Sequence, residues 1–159
     1  MASPSKLIGV VAVVIILAAN GWILWSNLGG RSSSGGGRRE QSYFTTDDGA
    51  TYFADDANKL TPFDHNGTEA VCAHVYAADG KKWVAYLERY TKRGRELMEA
   101  LEKKEIGPEK LQGVMLKEVK KPGDARWVTP ADGMPFANVI RVVNPNRAGS
   151  DPHPVGPAD

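Results

Sequence analysis

Val71-Cys72-Ala73-His74-Val75-Tyr76-Ala77-Ala78-Asp79-Gly80-Lys81-Lys82-Trp83-Val84-Ala85-Tyr86-Leu87-Glu88 is the stretch whose reading decides the fold. Two runs rich in β-branched and aromatic residues flank Asp-Gly, a dipeptide that accepts the positive φ angles of a two-residue hairpin turn. Counting outward from that turn places Tyr76 opposite Trp83, His74 opposite Ala85 and Cys72 opposite Leu87 on one face. Val75 opposite Val84 and Ala73 opposite Tyr86 line the other. Both faces are largely apolar, so the hairpin belongs at the centre of a sheet rather than at its edge.

Working upstream, Ser42 to Thr46 and Ala50 to Ala54 form a first hairpin around Asp48-Gly49, with Phe44 opposite Phe53 and Thr46 opposite Thr51. Downstream, Thr91 caps a helix reaching about Glu105, with Gly94, Leu97, Met98 and Leu101 as its apolar stripe and Gly107-Pro108 as its stop. Arg95 with Glu99, and Glu99 with Lys103, are i,i+4 pairs on its wet side. Trp83 is expected beneath Leu97 and Leu101 of that stripe. A third strand pair, Val114 to Lys120 and Ala125 to Thr129, turns at Pro122-Gly123-Asp124. Met134 to Val143 fits either a short helix or a last strand. The fold class that follows is α+β: a small antiparallel sheet of hairpins with one main helix packed on it.

Residues 42–143 make up this domain, and the chain on either side of it is of a different kind. Leu7 to Leu28 is apolar apart from a few Gly, Ser and Asn residues. As a helix, Leu7 to Trp25 spans roughly 28 Å, about the thickness of the bilayer hydrocarbon. Leu7, Ile15 and Ile16 lie along this run, while Trp22 and Trp25 fall near one end, where indole rings favour the headgroup boundary. Residues 1–28 therefore read as an uncleaved transmembrane anchor. A small-x-small cleavage motif ending at Ala19 is spoiled by Leu17, and the chain turns apolar again at Trp22-Ile23-Leu24-Trp25. Residues 29–41 contain GGRSSSGGGRR, a Gly/Ser/Arg linker with a reach of roughly 18 Å. Residues 144–159 carry four prolines and one aliphatic side chain beyond alanine, Val155, and read as a disordered tail.

The chain of 159 residues has a formal charge of +1, 25% charged and 42% hydrophobic residues, and one cysteine. Such a composition fits neither a disordered chain nor a multi-span membrane protein. One cysteine excludes an internal disulfide and a Cys-rich zinc site. Basic and aromatic residues alternate around Lys81-Lys82-Trp83 and Arg89-Tyr90-Thr91-Lys92-Arg93, a pattern used on single-stranded nucleic acid. The balanced charge and the anchor favour a solvated face instead, and no nucleic-acid partner is expected.

The run Tyr43-Phe44, Asp47-Asp48-Gly49, Tyr52-Phe53-Ala54, Ala57 and Lys59-Leu60-Thr61-Pro62-Phe63-Asp64 resembles the opening of an uncharacterised family of small single-pass membrane-anchored bacterial proteins with a C-terminal α+β domain. Ala73-His74-Val75-Tyr76, Val84 to Thr91, Pro122-Gly123-Asp124 and Trp127-Val128 are similar to later segments of the same pattern. The resemblance implies the architecture and an envelope location, but no activity. The family pattern often has a second cysteine near the central hairpin, where this chain has Cys72 alone.

Candidate chemistry is sparse. Asp47, Asp48, Asp55, Asp56, Asp64 and Glu69 cluster around the first turns, and Asp64-His65-Asn66-Gly67-Thr68-Glu69 has some likeness to a calcium loop. It lacks the alternating Asp-x-Asp-x-Asp-Gly core, and Asp and Asn before Gly are ordinary turn residues. Cys72 and His74, two apart on one strand, share a face and are the candidate thiol or half metal site. Their expected opposites, Leu87 and Ala85, point to packing instead. Asp64, Glu69 and His74 converge only if the Asp55 to Glu69 loop folds back over the central hairpin. The nucleophile-elbow, zincin, P-loop and dinucleotide fingerprints do not occur. No cofactor and no catalysis are expected. The reading is a single-pass protein of the bacterial envelope whose partners are the bilayer and another protein, with its domain on the extracytoplasmic side. The alternatives are a thiol, redox or metal-dependent module using Cys72 and His74, or a pilin-like assembly subunit. The pilin-like reading is weakened by Gly9-Val10-Val11 without a following Glu and by the helix-breaking Gly29-Gly30.

Overall fold

Asp79 and Gly80 adopt φ angles of 52° and 73°, so the chain reverses there in a tight left-handed turn. On either side of it run the two longest strands. The computed structural model describes residues 40–146 and 148–157. The expected anchor and nearly all of the linker therefore lie outside the described residues. Within them the chain forms β1 (Gln41–Thr45), β2 (Phe53–Asp56), β3 (Phe63–His65), β4 (Thr68–Ala78), β5 (Lys81–Tyr90), α1 (Lys92–Glu102), β6 (Lys117–Lys120), α2 (Met134–Ile140) and β7 (His153–Pro154). Short 3-10 turns occupy Pro108–Leu111 and Pro130–Asp132. Among the described residues no helix is long and apolar enough to cross a membrane.

The sheet runs β2-β1-β4-β5-β6, all antiparallel, with β4 and β5 at its centre as the two apolar faces require. β4 is long enough to pair with β3 at Thr68 to Ala70, β1 at Val71 and Cys72, and β7 at Tyr76 and Ala77. One face carries the core cluster of Val71, Ala73 and Leu87, against which Tyr43, Tyr52, Val84 and Trp127 pack. Leu87 and Phe44 are each 1% exposed, and burying side chains of this size stabilises the fold by roughly 1.5–3 kcal/mol apiece.

Near the turn the register is the one counted from sequence: Tyr76 pairs with Trp83 and Val75 with Val84. Between His74 and Val75 it shifts by one, because Ala85 is an extra residue on β5. Beyond this β-bulge His74 faces Tyr86, Ala73 faces Leu87 and Cys72 faces Glu88. The expected pairs His74–Ala85, Cys72–Leu87 and Ala73–Tyr86 are thereby corrected.

Four other expectations change. Phe44 does pair with Phe53, but the strands of the first hairpin stop at Thr45 and Phe53, so Thr46 and Thr51 belong to its loop. There Asp47 accepts hydrogen bonds from the Thr45 hydroxyl at 2.8 Å and the Thr51 hydroxyl at 2.6 Å. These bonds and that of the Thr51 amide hold its carboxyl at about 2. The helix α1 is capped by Thr91, which accepts from the Gly94 amide, but it stops at Glu102 rather than Glu105. Lys104 takes φ 59°, and the amides of Lys104 and Glu105 close onto the Leu101 and Ala100 carbonyls. Gly94 of this helix sits against the Leu116 carbonyl, where any Cβ would collide. Ala125 to Thr129 contributes a single bridge, Val119 to Val128, in place of a strand. Met134 to Ile140 is the helical alternative, burying Phe136 and Val139.

The fourth change concerns the proline-rich end. It lies along the sheet: β7 pairs with β4, the Val155 amide donates to the Val75 carbonyl at 3.0 Å, and the Tyr43 hydroxyl donates to the Gly156 carbonyl at 3.2 Å. Backbone pairing replaces the apolar burial that this segment lacks, and proline is tolerated because β7 is an edge strand.

Candidate functional site

The bulge decides which β5 side chains share a face with Cys72 and His74. Paired residues project to the same side of a sheet. The extra residue at Ala85 therefore brings Tyr86 and Glu88 to the face of Cys72, His74 and Tyr76, where simple alternation from Trp83 puts Ala85 and Leu87. From the next strand Lys117, paired with Tyr90, comes to the same face.

His74 stacks on Tyr86 with ring centroids 4.2 Å apart and planes 15° from parallel. Its Nε2 lies 4.0 Å from Cys72 Sγ and 3.6 Å from Glu88 Oε2. The other oxygen of Glu88 accepts from Lys117 Nζ at 2.6 Å. One thiol, one imidazole and one carboxylate thus converge, with their ligand atoms all within 4.8 Å of one another. These three residues have the donor types to hold a metal ion. Sequence reasoning supplied Cys72 and His74; Glu88 was missed because its arrival depends on the bulge.

Partial burial and close approach make the cluster electrostatically tight. Burial by itself disfavours charge on His74, but the neighbouring Cys72 and Glu88 outweigh it and raise the imidazole to about 10. Burial likewise pushes the Glu88 carboxyl up, and the Lys117 ammonium and His74 override it, holding it at about 2. Lys117, whose charge burial opposes, is kept above its ordinary value by Glu88. Burial, followed by Tyr76 and Glu88, pushes the Tyr86 phenol up.

The geometry differs from that of an activated cysteine nucleophile. In such a triad the thiol and the orienting acid engage opposite ring nitrogens, so that one accepts while the other donates. Here a single nitrogen, Nε2, faces both sulfur and carboxylate.

Asp64 and Glu69 are placed elsewhere. They sit opposite each other on the β3–β4 hairpin, both exposed. Glu69 is five residues from His74 along one strand, so the two project to opposite faces, and Glu69 reaches Arg89 at 3.4 Å. Asp64 accepts from the Gly67 amide at 3.3 Å, a turn contact. The remaining acids serve loops too: Asp55 binds Lys59 at 2.6 Å, and Asp48 binds Lys120 and the Gly123 amide. A groove of about 320 Å³ lies beside Arg89, Lys92 and Arg95. Two of its cations are already matched, Arg89 with Glu118 and Arg95 with Glu99, each at 2.8 Å.

No family model matches the chain, and the searches of curated proteins and of solved structures return no match.

Proposed function

We propose that this chain is a single-pass membrane protein that holds a small α+β domain at the envelope, where it acts by association with a protein partner. The observation that carries the reading is the order of segments in the sequence: an apolar run long enough to span, then GGRSSSGGGRR, then a domain whose first strand begins at Gln41. Residues 1–28 serve as anchor and the residues from 29 up to β1 as tether, with the domain on the extracytoplasmic side. The resemblance to small membrane-anchored bacterial proteins supports the same reading.

Fractionation tests it. The full chain should sediment with membranes and resist a high-salt wash, since hydrocarbon insertion is insensitive to ionic strength. A variant lacking residues 1–28 should be soluble and folded, because Arg31, Arg38 and Arg39 supply only about 1 kcal/mol each near anionic headgroups, and salt screens that attraction. If the truncated chain still sediments after the wash, a second membrane-binding surface exists and the reading of the domain as merely tethered fails. Cross-linking of the full chain in intact membranes should give a discrete adduct of higher mass. A chain that stays monomeric under those conditions speaks against association.

A further inference from the structure

We propose that Cys72, His74 and Glu88 form a binding site for one divalent transition-metal ion of the zinc class, with the fourth coordination position left to water. The proposal goes beyond the association reading and does not depend on it.

Distances come first. Zinc sits about 2.3 Å from thiolate sulfur and about 2.0–2.2 Å from imidazole nitrogen and carboxylate oxygen. At tetrahedral angles those bonds put sulfur and nitrogen about 3.6 Å apart, and nitrogen and oxygen about 3.4 Å apart. The observed separations are 4.0 Å from Sγ to Nε2 and 3.6 Å from Nε2 to Oε2. A contraction of a few tenths of an ångström closes these two pairs. Sγ and the carboxylate oxygen, which lie within 4.8 Å of each other, must close to about 3.6 Å, and rotation of the Cys72 and Glu88 side chains about His74 supplies this.

Direction is the second argument. A ligating imidazole points one nitrogen at the ion, and every other ligand atom gathers near that nitrogen. His74 Nε2 does this, having both the sulfur and the carboxylate oxygen beside it.

Support from the surroundings is the third. Ligands of bound metals are oriented by outer contacts. Tyr86 fixes the plane of the His74 ring by stacking, and Lys117 engages Glu88 Oε1, leaving Oε2 toward His74. The side chain of His74 is 31% exposed, which gives an ion a route in, while that of Glu88 is 13% exposed.

Donor chemistry selects the ion. One thiolate, one imidazole and one carboxylate suit zinc or cobalt(II); calcium and magnesium require more oxygen donors than the cluster offers. Three protein ligands with one open position is also the coordination pattern of zinc sites that keep an exchangeable water. Binding displaces two protons to solvent, that of the Cys72 thiol and that on Nε2 of the His74 imidazolium, and forms the S–Zn, N–Zn and O–Zn bonds without change of oxidation state.

The test uses the full chain in detergent, stripped with chelator and titrated with Zn²⁺, then with Co²⁺ as a spectroscopic probe. The expected result is one equivalent of Zn²⁺ per chain. With Co²⁺ we expect a near-ultraviolet thiolate-to-cobalt band and intense visible bands of tetrahedral coordination. Cys72→Ser and His74→Ala should each weaken Zn²⁺ binding at least a hundredfold and abolish the thiolate band, whereas Asp64→Asn should leave both unchanged. A second readout needs no variant: saturating Zn²⁺ should slow alkylation of Cys72 in the parent chain at least tenfold. Unchanged binding in Cys72→Ser and His74→Ala, or a Cys72 alkylation rate indifferent to Zn²⁺, overturns the proposal.

Discussion

The two ends of the β4–β5 hairpin obey different rules. At the turn end, Tyr76–Trp83 and Val75–Val84 follow a count that starts at Asp79-Gly80, and the side chains there are mostly apolar. At the base, past the bulge, the same strands display Cys72, His74, Glu88 and, from β6, Lys117. One residue separates the two regimes. Register has a period of two, so a single inserted residue exchanges the faces of everything beyond it. The polar cluster is therefore a product of register as much as of residue choice.

Placing a carboxylate at Leu87 is the severest way to break that contrast. With the bulge Leu87 pairs with Ala73 in the core, whereas the simple count puts it on the face of Cys72 and His74. A Leu87→Glu exchange at a side chain that is 1% exposed should cost more than about 4–5 kcal/mol. The expected outcome is loss of the cooperative thermal transition, followed by circular dichroism. A Leu87→Glu variant that melts near the parent temperature would show that the base follows the simple count and that the bulge is absent.

A smaller effect isolates charge from register. In chelator-treated protein, Glu88→Ala takes away the carboxylate to which Lys117 donates at 2.6 Å, with both side chains only 13% exposed. Deleting one partner of such a pair typically costs about 3–5 kcal/mol, whereas replacing both by apolar residues of similar size is often neutral. Denaturant melts should therefore show Glu88→Ala strongly destabilised and the double variant Glu88→Leu, Lys117→Met close to the parent. Equal destabilisation of the single and double variants would mean that the base is held by packing and that the ion pair contributes little.

The same contrast explains what could be read in advance. Asp79-Gly80 announced the central hairpin because the turn chemistry is local. Thr91 announced its helix for the same reason, its hydroxyl lying three residues from the amide it caps. The α+β class and the central position of β4 and β5 came from apolar patterning. The bulge left no signal, since Ala85 has no side chain that demands a kink. Glu88 consequently drew no attention, and half of the cluster stayed invisible beside Cys72 and His74. β3 was legible in principle, because Asn66-Gly67 takes φ angles of 55° and 83° in another tight hairpin turn. Its flanks, Asp64-His65 and Thr68-Glu69, are too polar to resemble strands. β7 is the opposite case: its pairing partners Tyr76 and Ala77 lie far away in sequence on β4, and no local pattern reports a contact of that range.

The turn end offers the gentlest perturbation, through Asp79. Its carboxylate accepts from the Ser150 amide at 3.0 Å, the Ser150 hydroxyl at 2.9 Å and the Asn144 side chain at 2.9 Å. These bonds tie the chain before β7 to the hairpin tip and hold the carboxyl below its usual 3.8. A carboxyl depressed in the folded state contributes stability that is present above its unfolded value and lost as pH falls through the folded one. Docking of the C-terminal segment should therefore be complete at neutral pH and loosen in acid, below pH 3.8. The reporter is the Val155 amide, bonded to the Val75 carbonyl at 3.0 Å, whose hydrogen exchange can be followed residue by residue. Asparagine also tolerates positive φ, so Asp79→Asn keeps the turn while removing the charge. We expect several-fold faster exchange at Val155 in this variant at neutral pH, little change in melting temperature, and no acid-dependent step. If Val155 in the parent chain keeps its full protection through the acid range, then Asp79 does not clamp the segment. Its docking would then rest on the β7 backbone pairs alone, and the turn end would owe nothing to charge.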